Sequence, residues 1–331
     1  MAKANLKPTT KLCAVVKADA YGHGAVRVAQ EAARNGADFF AVALLQEGVK
    51  LREAGIETPI LVLGSMLPEV AEICVRYDIS HAVFDEERLY ALNAAALKLH
   101  TKAKIHIKID TGMHRIGVHV RDAGRFAKLA ASLPGIYIEG VFSHFATADA
   151  DDKQYAAYQF ERFQEALRLI EAEGVHIPIR HIANSAALTE LQEYQLDMVR
   201  QGITLYGLHP AHMIDCYKDF EPVMTVKTQV AFVKTLPPGE TIGYGRTYTL
   251  TRPSVIATVP IGYADGVSRR LSNRGYMLVN GKKAPIIGRV CIVFGGRELP
   301  MELVAEWADT ICYEIICDVS PRVPREYVRG N

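Results

Sequence analysis

The sequence predicts an α/β fold: a parallel (β/α)8 TIM barrel followed by a smaller β-rich C-terminal domain. Three observations carry this. Short apolar runs alternate with amphipathic helical patterns from residue 12 to about residue 208; the runs number eight; and after Pro210 helical periodicity gives way to alternating β-branched residues. An open doubly wound sheet is the competing architecture, but no Gly-x-Gly-x-x-Gly follows the first run.

The strand candidates are residues 12–16, 39–44, 60–63, 81–84, 104–109, 137–143, 179–183 and 198–205. Helical patterns lie between most of them. Residues 25–35 put Ala25, Val28, Ala29 and Ala32 on one face and end at Gly36, a C-cap residue. Residues 152–173 space Tyr155, Tyr158, Phe160, Phe163, Leu167 and Ile170 for burial, with Gly174 at the end. Beyond Pro210, residues 220–236 and 244–261 alternate as strands do, joined by Pro237-Pro238-Gly239. Residues 276–279 and 284–290 flank Asn280-Gly281, a favoured hairpin pair, and helical pattern returns only at 300–307. The expected domains are therefore 1–214 and 215–331.

Composition narrows the function. The 331 residues are 49% hydrophobic and 23% charged, enough to bury two cores. A net charge of +1 gives no field for a nucleic acid or a membrane surface. No apolar run is long enough to span a bilayer, and Met1 opens no signal-peptide pattern. Cys13, Cys74, Cys216, Cys291, Cys312 and Cys317 lack zinc-site spacing, so no metal is expected. Buried thiols in a reducing, cytoplasmic setting are the expected reading.

Barrels carry their chemistry at the C-terminal ends of the strands. Lys17 follows the first strand. Lys108 and Asp110 lie on the fifth, His144 follows the sixth, His181, Asn184 and Ser185 follow the seventh, and Arg200 and Gly202 lie on the eighth. Surface loops account for one or two such residues, less readily for a set gathered on one side. Lys17 is the centre of the set. A strand-end lysine ordinarily snorkels into water. A buried one loses its charge and can form an imine with a carbonyl. Arg115 lies in the turn Asp110-Thr111-Gly112-Met113-His114-Arg115, either solvated or clamping an anionic oxygen. Glycines bracket Tyr244 and flank Tyr263, as in a simple turn or at a close approach to a ligand.

Seven stretches in order resemble one family: VVKADAYGHG (15–24), KIDTGMHRIG (108–117), SHFATAD (143–149), HIANSAA (181–187), IGYGRTYT (242–249), IGYADG (261–266) and TICYEI (310–315). They are similar to those of alanine racemases, pyridoxal 5'-phosphate isomerases with a barrel and a β domain. The resemblance implies a cytoplasmic homodimer with an active site shared across the interface, acting on a small amino acid and supplying D-alanine for peptidoglycan. It implies that Lys17 holds the cofactor and serves as base on one face, with Tyr244 of the partner subunit as base on the other. Tyr21, Ser185, Gly202, Ile203 and Tyr313 would cradle the phosphate, with His144 and Asn184 also at the cofactor. Arg200 would face the pyridine nitrogen. Arg115 would touch the phenolic oxygen, Lys108 would be carbamylated and position Arg115, His144 would tune Tyr244, and Tyr263 would line the substrate entrance.

Racemisation independently requires two bases, because the α-proton leaves one face and returns on the other. The sequence departs from the family twice. The stretch before the first strand is short for the additional strand with which family members begin. After Cys291 the chain reads Ile292-Val293-Phe294-Gly295-Gly296, where the family continues Met-Asp into the substrate pocket, so a segment is expected to be missing. Two other functions compete: a non-catalytic pyridoxal-phosphate carrier, and a related decarboxylase or broad-specificity racemase.

Overall fold

The computed structural model describes residues 6–210, 220–288 and 299–328. The expected boundary at 214/215, Cys216, and the segment from Cys291 to Gly296 lie outside the described residues. The chain divides into two compact units: Met1–Ala20, Ala25–Leu205 and Pro210–Asp219 in one, and Tyr21–Gly24, Tyr206–His209 and Phe220–Asn331 in the other.

The first unit is built on parallel strands. They are β1 (Lys11–Val15), β2 (Phe39–Val42), β3 (Ile60–Val62), β4 (Ser80–Val83), β5 (Ala103–Asp110), β7 (Ile136–Phe142), β8 (Ile179–His181) and β9 (Met198–Gln201), with a short β6 (Val118–His119) beside β5. The order is β8-β7-β5-β4-β3-β2-β1-β9, so the last strand returns to the first. Residues on β2, β3 and β4 are buried throughout, as expected where helices cover one face and the barrel core the other. The eighth expected strand is shorter than the sequence suggests. It ends at Gln201, and Ile203–Tyr206 turn as a 3-10 helix.

A different kind of bond closes the seam between β8 and β9. Asp197 N–H donates to Arg180 O at 3.0 Å, and Arg200 N–H donates to Ala183 O at 3.1 Å. The Asp197 carboxylate accepts from Arg180 N–H (2.8 Å), Nε (2.7 Å) and Nη2 (3.1 Å). A paired fork of this kind fixes direction as well as distance.

The helices meet the expected pattern with one correction. Ala25–Arg34 and Gln154–Ala172 form as predicted. On the longer helix, however, Tyr155 and Tyr158 face outward. The buried stripe is Ala156, Gln159, Phe163, Ala166 and Ile170. A polar residue lies on that stripe because its amide is fully used: Gln159 accepts from Ala146 N–H and donates to Thr111 Oγ1 and His144 O.

The loop after β1 is a left-handed turn. Ala18, Asp19, Ala20 and Tyr21 have φ of 51°, 51°, 55° and 50°. Each such non-glycine residue costs about 1–2 kcal/mol. The turn is therefore held from outside: Ala18 N–H donates to Glu47 Oε1 at 2.6 Å, and Asp19 Oδ1 accepts from Ala25 N–H at 3.0 Å.

Among the described residues the second unit contains three two-stranded antiparallel sheets: β10 (Phe232–Leu236) with β13 (Ser254–Thr258), β11 (Thr241–Ile242) with β12 (Tyr248–Thr249), and β14 (Tyr276–Val279) with β15 (Lys282–Pro285). Asn280 and Gly281 adopt φ of 50° and 73°, as a two-residue hairpin turn demands. Two helices follow, Met301–Ala308 and Cys312–Cys317. The second corrects the expectation that helix returns only at 300–307. Its buried Cys312, Ile315 and Ile316 stand at i, i+3 and i+4, a helical spacing too short to register in the sequence pattern. Among the described residues no helix is long and apolar enough to cross a membrane. Cys13, Cys74 and Cys312 are free and buried, and Cys317 is exposed.

The seam makes a measurable claim. Because the pair is partly exposed, Asp197→Ala should cost only about 1 kcal/mol of stability. A urea-unfolding double-mutant cycle with Arg180→Ala should recover most of that as coupling; additive effects would show that the fork is idle.

Candidate active site

The strand ends of the first unit converge on a buried guanidinium. Arg200, on β9, is 3% exposed. Its Nη2 donates to Ser143 O (2.8 Å), Ile182 O (3.1 Å) and His144 Nδ1 (3.0 Å), and its Nη1 donates to His181 Nδ1 at 2.7 Å. The cation also lies over the Phe142 ring at 5.3 Å. Burial pulls its pKa down to about 10, which still leaves it protonated at neutral pH.

A guanidinium has no lone pair to offer, so it fixes the protons behind it. His181 Nδ1 must accept, which places the imidazole proton on Nε2. That atom is 2.9 Å from His106 Nδ1, so His106 accepts and carries its own proton on Nε2. His106 Nε2 is 3.0 Å from Glu139 Oε2, and that oxygen also accepts from Ser80 Oγ at 2.5 Å. One directed chain thus runs from Arg200 through two neutral imidazoles to a carboxylate. Burial is the main force lowering the His181 pKa, and Arg200 adds to it. Burial opposes ionisation of Glu139, but the hydrogen bonds from His106 and Ser80 outweigh it and the pKa is lowered. Gly140 makes room for the chain: a Cβ there would collide with the His106 ring and with Ile179 O.

Lys108 shares this interior. It is 4% exposed, with Nζ 5.0 Å over the Phe142 ring and 3.4 Å from Ile109 O. Burial first, then Arg200 and Arg115, drive its pKa well below that of an ordinary lysine. Both causes favour the uncharged amine over the ammonium. His144 is half-buried, and burial, Arg200, Lys108, Arg115 and Lys17 all hold it neutral. With Nδ1 accepting from Arg200, its proton is on Nε2. Five groups from four strand ends thus sense one another electrostatically, as expected of a reaction centre.

The turn after β5 presents Arg115. Burial raises the Asp110 pKa, but bonds from His114 N–H, Gly112 N–H and His114 Nδ1, each 3.0 Å, outweigh it and lower the pKa. Arg115 itself is exposed. Lys17 is half-buried at the end of β1. Ser185 Oγ accepts from Gly202 N–H at 2.8 Å, which joins the start of helix Ser185–Glu190 to the turn that begins at Ile203. Asn184 caps that helix through Ala187 N–H at 3.1 Å. Its side-chain oxygen is thus engaged in local structure.

The remaining expected site residues belong to the second unit. Tyr21 packs against Tyr206 and Tyr313 with ring centroids 5.1 and 5.8 Å apart. Tyr244 and Tyr263 are 84% and 75% exposed, each at the start of a 3-10 turn. Sequence reasoning missed Ser80, His106, Glu139 and Gln159. The signal for His106 was present: His106 and Lys108 alternate with isoleucines on one strand, so both face inward.

The buried neutral imidazoles fix a pH dependence. His81 is pushed down to about 4 by burial, and His181 falls for the same reason. The unfolded chain binds protons to these rings below about pH 6.5, while the folded chain resists, so stability is full above that value and lost as pH falls. Each ring should cost up to about 1.4 kcal/mol per pH unit below it. Urea midpoints measured from about pH 7 down to about pH 5 should fall accordingly; a flat profile would show that the rings charge in place.

Known proteins resemble the chain over nearly its whole length. Residues 1–210 match the model for the alanine racemase N-terminal domain, and residues 223–292 match that for its C-terminal domain. An alanine racemase of Desulfovibrio desulfuricans is 44% identical, with 98% of this chain and 93% of that protein aligned. One from Halothermothrix orenii is 46% identical over 97% and 91%. Among solved structures, alanine racemase from the D-cycloserine-producing Streptomyces lavendulae superposes with a TM-score of 0.93 at 34% identity, covering 100% of this chain and 93% of that one. Alanine racemase of Clostridium difficile gives 0.92 at 36%, covering 97% and 90%. With both domain models matched in order and relatives aligned over nearly the whole length, the chain belongs to the alanine racemase family.

Proposed function

We propose that this protein interconverts L- and D-alanine on pyridoxal 5'-phosphate, in the cytoplasm, as a homodimer, and that its D-alanine serves peptidoglycan synthesis. The observation that carries the reading is the buried Arg200 facing the strand-end cluster with its direction fixed from behind. The residues suit the cofactor. A primary amine stands at the end of β1. Near Gly202, Gln201 Oε1 and Thr204 Oγ1 are buried without a hydrogen-bond partner in the described residues, which leaves polar capacity for a ligand. Pyridoxal phosphate, when bound, withdraws electrons from the substrate α-carbon and so acidifies its C–H bond.

Each chain residue then has a task. Lys17 would hold the cofactor and would move a proton at the α-carbon on one face. Tyr244 of the partner subunit would do so on the other. Its 84% exposure on a projecting turn supports donation to a second copy. Arg200 would face the ring nitrogen of the bound cofactor and, as a guanidinium, would not readily give its proton up to it. Ser185 Oγ, the N–H groups of Gly202 and Ile203, and the hydroxyls of Tyr21 and Tyr313 would hold the phosphate, as the family resemblance implies. His144 lies beside the cofactor, Asn184 shapes the loop before Ser185, and Tyr263 lines the entrance. Lys108, whose surroundings favour the uncharged amine, is suited to take up carbon dioxide, releasing one proton to solvent. The resulting carbamate would be an anion between Arg200 and Arg115, and it would orient Arg115 toward the cofactor oxygen.

Incubation with L-alanine and pyridoxal phosphate in heavy water should give D-alanine deuterated at the α-carbon. Cofactor absorbance without turnover would instead favour a carrier, and carbon dioxide release a decarboxylase. Lys17→Ala should remove covalent cofactor attachment. Tyr244→Phe should slow proton transfer from one enantiomer more than from the other; equal residual exchange from both would reject the two-base assignment. With 13C-bicarbonate, a carbamate resonance should appear and be lost in Lys108→Met; no resonance in the parent protein would remove the carbamate from the scheme.

A further inference from the structure

The C-terminal tail grips Gly22 and His23, directly after the left-handed run Ala18–Tyr21. Arg325 Nε donates to Gly22 O at 3.1 Å. Its Nη1 donates to Ser320 O (2.8 Å) and Val323 O (2.7 Å), and its Nη2 to Val319 O (2.8 Å). Tyr327 Oη donates to His23 O at 3.0 Å. All five acceptors are main-chain carbonyls. One guanidinium therefore folds the tail into a hook and fastens the hook to the loop. A lysine has three protons on one atom and cannot span this arrangement.

The fit leaves no slack. Gly22 and Gly24 adopt φ of 79° and 91°. A Cβ on Gly22 would collide with Ile316 O, and one on Gly24 would collide with Tyr327 Oη. The loop is thus pressed against the last helix on one side and the tail on the other. Tyr21, the last of the strained residues and the neighbour of the fastened carbonyls, packs on Tyr206 and Tyr313. A segment with four consecutive left-handed non-glycine residues keeps its shape only where the surroundings over-determine it. Glu47 restrains the beginning of the run, through Ala18, and Arg325 and Tyr327 restrain its end.

We propose that Arg325 and Tyr327 are positioning residues that hold residues 21–24 so that Tyr21 is placed for the cofactor phosphate. The link to the cofactor rests on the reading of Lys17 and Tyr21 given above. The link to the loop does not, and the test separates the two.

Hydrogen–deuterium exchange of the full-length protein without cofactor reads the loop, and titration with pyridoxal phosphate reads the site. Arg325→Ala should speed exchange in peptides covering residues 17–27 by about tenfold, with the peptides of β2, β3 and β5 unchanged. It should weaken cofactor binding by a similar factor. Arg325→Lys should not restore either, and Tyr327→Phe should speed exchange near Gly24 by a smaller factor. Unchanged exchange at 17–27 would overturn the proposal, as would acceleration spread evenly over the barrel. Faster loop exchange with unaltered cofactor affinity would overturn the positioning role. If Arg325→Ala does not fold, Tyr327→Phe and Arg325→Lys carry the same two readouts. If the parent protein binds no pyridoxal phosphate, the proposed function fails, and loop exchange alone then decides whether the tail restrains the loop.

Discussion

A guanidinium sealed inside a barrel can give hydrogen bonds but cannot receive them, and much of the first unit follows from that asymmetry. Arg200 sets the proton on His181, His181 sets the proton on His106, and the sequence can end only at an acceptor, which Glu139 supplies. The backbone adapts in turn. Gly140 stands where a side chain would displace the His106 ring, and the pairing of β5 with β7 shifts register at Ile105/His106. Phe142 lies under both Arg200 and Lys108 and stacks on His181 at 4.9 Å, covering charges that water would otherwise reach. The site is therefore an electrostatic arrangement first and a set of side chains second.

Much of the architecture was legible because its signals are local. The barrel strands read as apolar runs, and Gly36 and Gly174 mark helix ends. Lys17, Lys108, His144 and Arg200 could be named from their places at the ends of those runs. What escaped was non-local. Nothing near Glu139 or Ser80 says that they meet, since they are joined only once β4, β5 and β7 lie side by side. The relay histidine, His106, sat one register step from Lys108 and was passed over because it lies mid-strand. The short helix Cys312–Cys317 was missed because its few residues give too little periodicity. Tyr155 and Tyr158 face outward because the buried stripe runs through Ala156 and the polar Gln159 instead, which hydrophobic spacing does not mark.

The left-handed run after β1 shows a different limit. Alanine and aspartate do not advertise positive φ as glycine does. Their conformation is imposed by partners brought from elsewhere in the chain, Glu47 on one side and the tail residues on the other. Local propensity and the fold disagree here, and such disagreement is characteristic of places where geometry serves chemistry.

The pairing of β1 with β9 has a consequence for biosynthesis. Cys13 is registered against Arg200, so the strand that delivers Lys17 finds its last neighbour only when the far end of the barrel has been made. The bond from Arg200 N–H to Ala183 O closes the seam on the other side of the same strand. Closing the sheet and aiming the guanidinium are thus a single event. A chain that stopped short of β9 would leave β1, the strand that leads to Lys17, with one edge unpaired and without the buried guanidinium of Arg200 beside it.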